Sequence, residues 1–258
     1  MKKNKTGEPV DINTKQLNRR KFIAFGTFAG LYSAGYTAWR WLYKQPGDGG
    51  LLGGIQTPLR PVLNENEKVF TDNYKQTGLA RIYPKDKATI KPRVNGEIGL
   101  DPDFVPAEWQ LEIQKTDGTT LLLSLDELKR LPKSEIVFDF KCIEGWSQVT
   151  YWGGVKFSDL MNHYPLEKEM QMKYTGLSTP DDGYYVGIDM ESVLHPQTIL
   201  CYEMNAQPLT AEHGYPLRLI IPVKYGIKNI KRIGTIYFSN ERPADYWAER
   251  GYDYYSGL

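Results

Sequence analysis

Apolar and polar positions alternate along this chain in short bursts, each about the length of one strand or two helical turns. Trp109-Gln-Leu-Glu-Ile-Gln114 alternates with period two, Asp117-Gly118 offers a tight turn, and Thr119-Thr-Leu-Leu-Leu123 returns, which predicts a hairpin. Ser124 is placed to cap a short helix reaching Leu131, with Asp126 and Glu127 in the first turn and Pro132 as the stop. Strands are predicted at 135–140, 173–177, 198–202, 217–221 and 233–238, and short helices at 157–163 and 190–194. The order lacks a strand-helix-strand rhythm, so the pattern predicts an α+β fold rather than a doubly wound sheet.

The longest apolar stretch is different in kind. It runs from Phe22 to Trp39 behind Asn18-Arg19-Arg20-Lys21, and its N-terminal flank carries Lys2, Lys3, Lys5 and Lys15 against Glu8 and Asp11. Such a basic flank keeps that end on the cytoplasmic side. Paired arginines with a variable residue and then Phe resemble a twin-arginine export signal; an ordinary signal anchor is the alternative, and either exports the downstream domain. Arg40 ends a run close to the minimum for spanning a bilayer, and Trp39, Trp41 and Tyr43 suit a membrane interface, so a retained anchor is expected. Pro46-Gly-Asp-Gly-Gly-Leu-Leu-Gly-Gly54 reads as a tether. The expected organisation is a signal or anchor at 1–45, a linker at 46–68 and one folded domain at 69–258.

Composition narrows the class. The 258 residues are 41% hydrophobic with a formal charge of +1, which leaves enough chain for one sizeable core and argues against a nucleic-acid binder. The two cysteines sit in unlike settings. Cys201 lies inside the apolar run Thr198-Ile-Leu-Cys-Tyr and reads as a small core residue. Cys142 closes the run Ile136-Val-Phe-Asp-Phe-Lys-Cys142 and opens the turn Ile143-Glu144-Gly145-Trp146, a thiol at a strand mouth. A thiolate suits a soft metal, and one protein bond suffices if an organic chelate supplies the rest. A disulfide between the two remains a second possibility from spacing alone. A further dense region, His213-Gly-Tyr-Pro-Leu-Arg218 through Lys231-Arg232, brackets an apolar strand with cations and glycines; it is either a phosphate-binding loop or a solvated basic hairpin.

Cys142-Ile-Glu-Gly-Trp146-Ser, His195-Pro196, His213-Gly-Tyr-Pro-Leu-Arg218 and Pro222-Val-Lys-Tyr-Gly-Ile-Lys-Asn-Ile-Lys231, in that order, resemble the molybdopterin domain of the sulfite oxidase superfamily. Within it, the Cys-x-Glu-x-Trp-Ser string is most similar to the catalytic subunits of bacterial periplasmic methionine sulfoxide reductases. The resemblance implies a sulfite-oxidase-type fold of mixed sheets and short helices that holds a molybdenum-molybdopterin cofactor. It implies Cys142 as the molybdenum ligand and Glu144 as a pocket carboxylate. Cofactor contacts would fall on Asn73, Tyr74, Thr179, His213, Arg218, Asn229, Ile230 and Lys231. His213 departs from the asparagine usual in those reductases, and a shorter stretch after Thr179 implies a more open pocket. The ligand turn, Ile143 to Gln148, lacks the arginines expected of a sulfite oxidase proper.

The implied activity is oxygen-atom transfer on a small-molecule substrate, a sulfoxide or related S- or N-oxide, by an exported enzyme. A sulfite dehydrogenase and a cofactor-free, membrane-tethered binding subunit are the alternatives. With no haem-attachment motif and no cysteine set for an iron–sulfur cluster, the chain needs an external electron-transfer partner such as a membrane haem protein or a cytochrome.

Overall fold

The computed structural model describes residues 14–47 and 55–258. The described residues fall into an N-terminal unit, 14–47 with Gln56–Pro58, and a body made of Ile55 and Leu59–Leu258.

The N-terminal unit is built on one helix, α1 (Thr14–Tyr43), whose 30 residues include the whole apolar stretch. Among the described residues no helix is long and apolar enough to cross a membrane. α1 has the length, but Thr27, Tyr32, Ser33, Tyr36 and Thr37 dilute its apolar character.

The body opens with α2 (Arg60–Asn73), which begins with a proline in its first turn and buries none of its residues. Helix therefore occupies 60–68, a stretch expected to be linker. It is held to the body by Glu67, which accepts both terminal nitrogens of Arg242. The remaining elements are β1 (Leu111–Gln114), β2 (Thr120–Leu123), α3 (Leu125–Lys129), β3 (Lys133–Lys141), β4 (Ser147–Lys156), α4 (Phe157–His163) and β5 (Tyr174–Ser178). They continue with β6 (Tyr185–Asp189), α5 (Met190–Val193), β7 (Ile199–Met204), β8 (Gln207–Pro208), β9 (Arg218–Ile220) and β10 (Thr235–Ser239). The predicted hairpin is β1–β2, and the Ser124 cap is a full capping box with Glu127.

Two sheets result. One has the order β2-β1-β10-β5-β6, parallel only at β1/β10; the other runs β3-β4-β7-β8 and carries β9 on β7, antiparallel throughout. This is the mixed α+β architecture expected. The main core takes Leu111, Ile113, Leu177 and Ile236 from the first sheet and Val155, Leu200 and Leu219 from the second. A second cluster, Ile136, Phe138, Phe140, Trp152, Ile199, Cys201 and Ile220, covers the other face of the second sheet. The period-two alternation of β3, β7 and β9 is what gives that sheet two apolar faces. Each fully buried side chain of this size contributes about 1.5–3 kcal/mol, so the second sheet is a firm base for whatever its ends carry.

Candidate active site

Cys142 sits where β3 turns into β4, strands that pair without interruption from Lys133↔Val155 to Lys141↔Ser147. The turn is closed by the Cys142 N–H donating to the Trp146 carbonyl at 2.9 Å and the Gly145 N–H donating to the Cys142 carbonyl at 3.1 Å. Gly145 takes φ +87°, the left-handed conformation that a three-residue hairpin loop requires. The thiol is 6% exposed, and Cys142 and Cys201 are both free, so the disulfide alternative is excluded. Burial raises the Cys142 thiol above its ordinary range. Cys201 is wholly buried and pushed up to about 12, an inert core thiol.

Cys142 opens into a cavity of about 120 Å³. Its walls come from five separate stretches: Asn95 and Gly96, Glu144 of the turn, Tyr184, Asn229 with Lys231, and Trp247 with Tyr252. Tyr184 is fixed by donating to the Ile227 carbonyl, and Trp247 packs edge-on between Tyr246 and Tyr252. Asn229 is spent on its own loop: its Oδ1 accepts from the Ile221 N–H at 2.8 Å and its Nδ2 donates to the Tyr225 carbonyl at 3.1 Å.

The second sheet also delivers Arg218, which stands opposite Cys201 in the β7/β9 register. The guanidinium is 1% exposed, donates to the carbonyls of His213 (3.0 Å) and Asn229 (3.2 Å), and lies 4.6 Å from the Trp152 ring centroid. Among the described residues no carboxylate forms an ion pair with it. His213 is buried beside it, and Lys231 donates to the carbonyls of Gly96 and Glu212 at 2.8 Å each. Burial first, then Arg218 and Lys231, push His213 down to about 4; burial first, then Arg218, push Lys231 down to about 7. Arg218 itself falls to about 10 by burial. His213 Nε2 and Arg218 Nε are buried without a hydrogen-bond partner. Three basic groups packed together with unused donors form an unfavourable arrangement in isolation and a favourable one around a phosphate. The residues therefore fit the phosphate end of a molybdopterin, and the alternative of a solvated hairpin at 213–232 does not hold.

The other expected contacts divide. Thr179 is buried behind the cavity wall, accepting from the Tyr184 N–H at 3.1 Å, so it braces Tyr184. Ile230 is buried, and its carbonyl accepts from Leu219 N–H. Asn73 and Tyr74 lie outside the residues that line the Cys142 cavity. Asn73 turns back onto the Val69 carbonyl at the end of α2, and Tyr74 donates to the Glu191 carbonyl and packs near His195. Asn95, farther along in a loop, lines the cavity together with Asn229. Its only sequence signal is the turn-forming pair Asn95-Gly96, with Gly96 at φ +62°. Tyr184, Trp247 and Tyr252 carried no signal of their own.

A buried thiol that shares its cavity with Lys231 of a buried cationic cluster, on a mixed α+β body, points to a cofactor-dependent enzyme. The chain belongs to the oxidoreductase molybdopterin binding domain family, which it matches over residues 98–247; it is a molybdopterin-dependent oxidoreductase of the sulfite oxidase superfamily. YedZ1 of Azospira oryzae, named provisionally as a protein-methionine-sulfoxide reductase subunit, is 35% identical over 181 residues, covering 69% of this chain and 68% of its own. The protein-methionine-sulfoxide reductase catalytic subunit MsrP of Campylobacter jejuni is 28% identical over 212 residues, 76% of this chain and 70% of its own. MsrP of Xanthomonas axonopodis pv. citri is 34% identical over 138 residues, 48% of this chain and 43% of its own. Among solved structures, the sulfane dehydrogenase SoxCD from Paracoccus pantotrophus superposes on 54% of this chain and 40% of its own with a TM-score of 0.49 and 19% identity.

Proposed function

We propose that this protein is an exported molybdenum enzyme that reduces a sulfoxide or a related S- or N-oxide. The observation that carries the reading is Cys142, a single thiol at the end of a strand, opening into the same cavity as Lys231 of the cationic cradle. The relatives named as methionine sulfoxide reductase subunits support the substrate class. When bound, a molybdenum pyranopterin supplies the two-electron oxygen-transfer chemistry.

The chain's own residues do the rest. Arg218, His213 and Lys231 bind the phosphate end and fix the depth of the group, and Cys142 holds the metal. Thr179 and Ile230 support the walls rather than touch the group. Tyr184 and Trp247 exclude water from the inner face, and Glu144 presents a carboxylate at the mouth, where it handles a proton for the substrate oxygen. Reduction of a sulfoxide to a thioether and water consumes two electrons and two protons. The electrons come from an external partner, such as a membrane haem protein or a cytochrome. Arg19-Arg20-Lys21-Phe22 on α1 supports export by the twin-arginine route. Cell fractionation tests this: an Arg19→Lys, Arg20→Lys variant should stay in the cytoplasm, and normal export of that variant would refute the route.

A sulfite dehydrogenase is the second reading, favoured by one observation: Arg93, far upstream of the ligand turn, places a cation at the mouth, 4.0 Å from Glu144. Steady-state assays separate the two. The holoenzyme with reduced methyl viologen should turn over dimethyl sulfoxide or methionine sulfoxide, and sulfite oxidation with no sulfoxide turnover would overturn the proposal.

A further inference from the structure

At the mouth of the Cys142 cavity, side chains from two distant stretches meet on Glu144. Trp146 Nε1 donates to Glu144 Oε2 at 2.8 Å, and an Arg93 terminal nitrogen stands 4.0 Å from the same oxygen. Arg93 Cζ lies 4.9 Å from the Trp146 ring centroid. Both partners are themselves fixed. The Trp146 ring stacks on Phe140 with planes 27° apart and centroids at 6.2 Å. The Arg93 backbone is gripped at both ends by one side chain, its N–H donating to Gln148 Oε1 at 3.0 Å and its carbonyl accepting from Gln148 Nε2 at 3.4 Å. Phe140 and Gln148 are directly opposite each other in the β3/β4 register, so one rung of the hairpin that presents Cys142 also supports both partners of Glu144.

Stability does not account for this arrangement. The side chains of Arg93 and Glu144 are 61% and 64% exposed, and a surface ion pair of that kind contributes about 0–1 kcal/mol. A lone glutamate on a hairpin turn would sample several rotamers. The indole N–H and the guanidinium instead restrict it to one placement beside the cavity, and a reacting group displaced by about 1 Å loses up to about 100-fold in rate.

We infer that Trp146 and Arg93 are positioning residues that clamp the Glu144 carboxylate at the mouth of the Cys142 cavity. The inference rests on the proposed role of Glu144 toward the substrate and deepens it.

A double-mutant cycle on the full-length holoenzyme tests it, with molybdenum content measured for every variant and kcat for dimethyl sulfoxide as the first readout. Trp146→Phe and, separately, Arg93→Gln should each lower kcat about tenfold or more in the natural background. Each should change it less than about twofold in a Glu144→Ala background, because the effect runs through the carboxylate. Loss by the same factor in both backgrounds would overturn the clamp and leave Trp146 as packing for Phe140. Full kcat in Glu144→Ala would instead sink the role of Glu144 itself, and the clamp with it. The second readout is independent of turnover: the Trp146 indole N–H resonance, assigned by its loss in Trp146→Phe, should move in Glu144→Ala and in Arg93→Gln. A resonance that stays in place in both variants overturns the inference, and Arg93→Gln, a change on an exposed side chain, keeps the test open should Trp146→Phe fail to fold.

Discussion

Arg218 is a cation with no ion-pairing carboxylate among the described residues, buried at 1% exposure in a sheet that would be easier to build around a leucine. Its environment makes sense once an anion completes it, and the same holds for its neighbours. Lys231, pushed down to about 7, gains its proton as pH falls from 8.5 to 6; His213, at about 4, stays neutral over that range. The ordinary lysine value is about 10.4. With no anion bound, the depressed Lys231 therefore costs stability below about 7, and the cost lifts as pH rises from there towards 10.4. An anion that favours the charged lysine must then stabilise the folded chain more at pH 6 than at pH 8.5. Sulfate, doubly charged throughout this range, should raise Tm more at pH 6 than at pH 8.5, and Lys231→Met should erase the difference. An equal rise at both values in the unmodified protein would contradict the cradle. At this scale Cys142 was legible because a polar, glycine-containing turn comes directly after an apolar strand. Tyr184, Trp247, Asn95 and Arg93 were not, because each reaches the cavity from a stretch whose own pattern says nothing about the fold around it.

The strands that carry the site are held together at one tight crossing. A Cβ on Gly154 of β4 would collide with the Leu200 carbonyl and with Cys201 Cα at 2.7 Å, both backbone atoms of β7, where the register shifts between Gly153 and Gly154. Gly154→Ala should therefore destabilise by about 1–3 kcal/mol, which for a body of this size lowers Tm by about 2–12 °C. Calorimetry checks it, and an unchanged Tm would show that β4 and β7 are not so closely apposed. Elements with a clean period were legible: β1–β2, the capping box on α3, and α4, whose predicted span is the observed one. β4 was missed because Gly153-Gly154 breaks its alternation just where the close approach demands glycine. α2 was missed because its apolar positions, Val62, Leu63, Val69 and Phe70, are split by the polar run 64–68 and none of them is buried. α1 has the length expected of the apolar stretch, and polar residues interrupt it; among the described residues no helix is long and apolar enough to cross a membrane.

Over the whole chain, the ordered motifs spread from Cys142 to Lys231 were worth more than any single one: the stretches at Cys142–Glu144 and Gly226–Lys231 line one cavity, and Arg218 and His213 stand beside Lys231. Asn73 and Tyr74 stand at the end of α2, and the loop that lines the cavity, at Asn95 and Gly96, follows some twenty residues later. In the proposed function, Cys142 binds molybdenum within a cofactor whose phosphate rests on Arg218, His213 and Lys231. The most direct test is molybdenum per folded protein, measured by elemental analysis on the full-length chain from a host that makes molybdopterin, beside the Cys142→Ser variant. Close to one molybdenum per chain is expected, with the metal lost or sharply reduced in Cys142→Ser while the fold is kept. A folded natural protein without molybdenum, or full retention of the metal in Cys142→Ser, would contradict it.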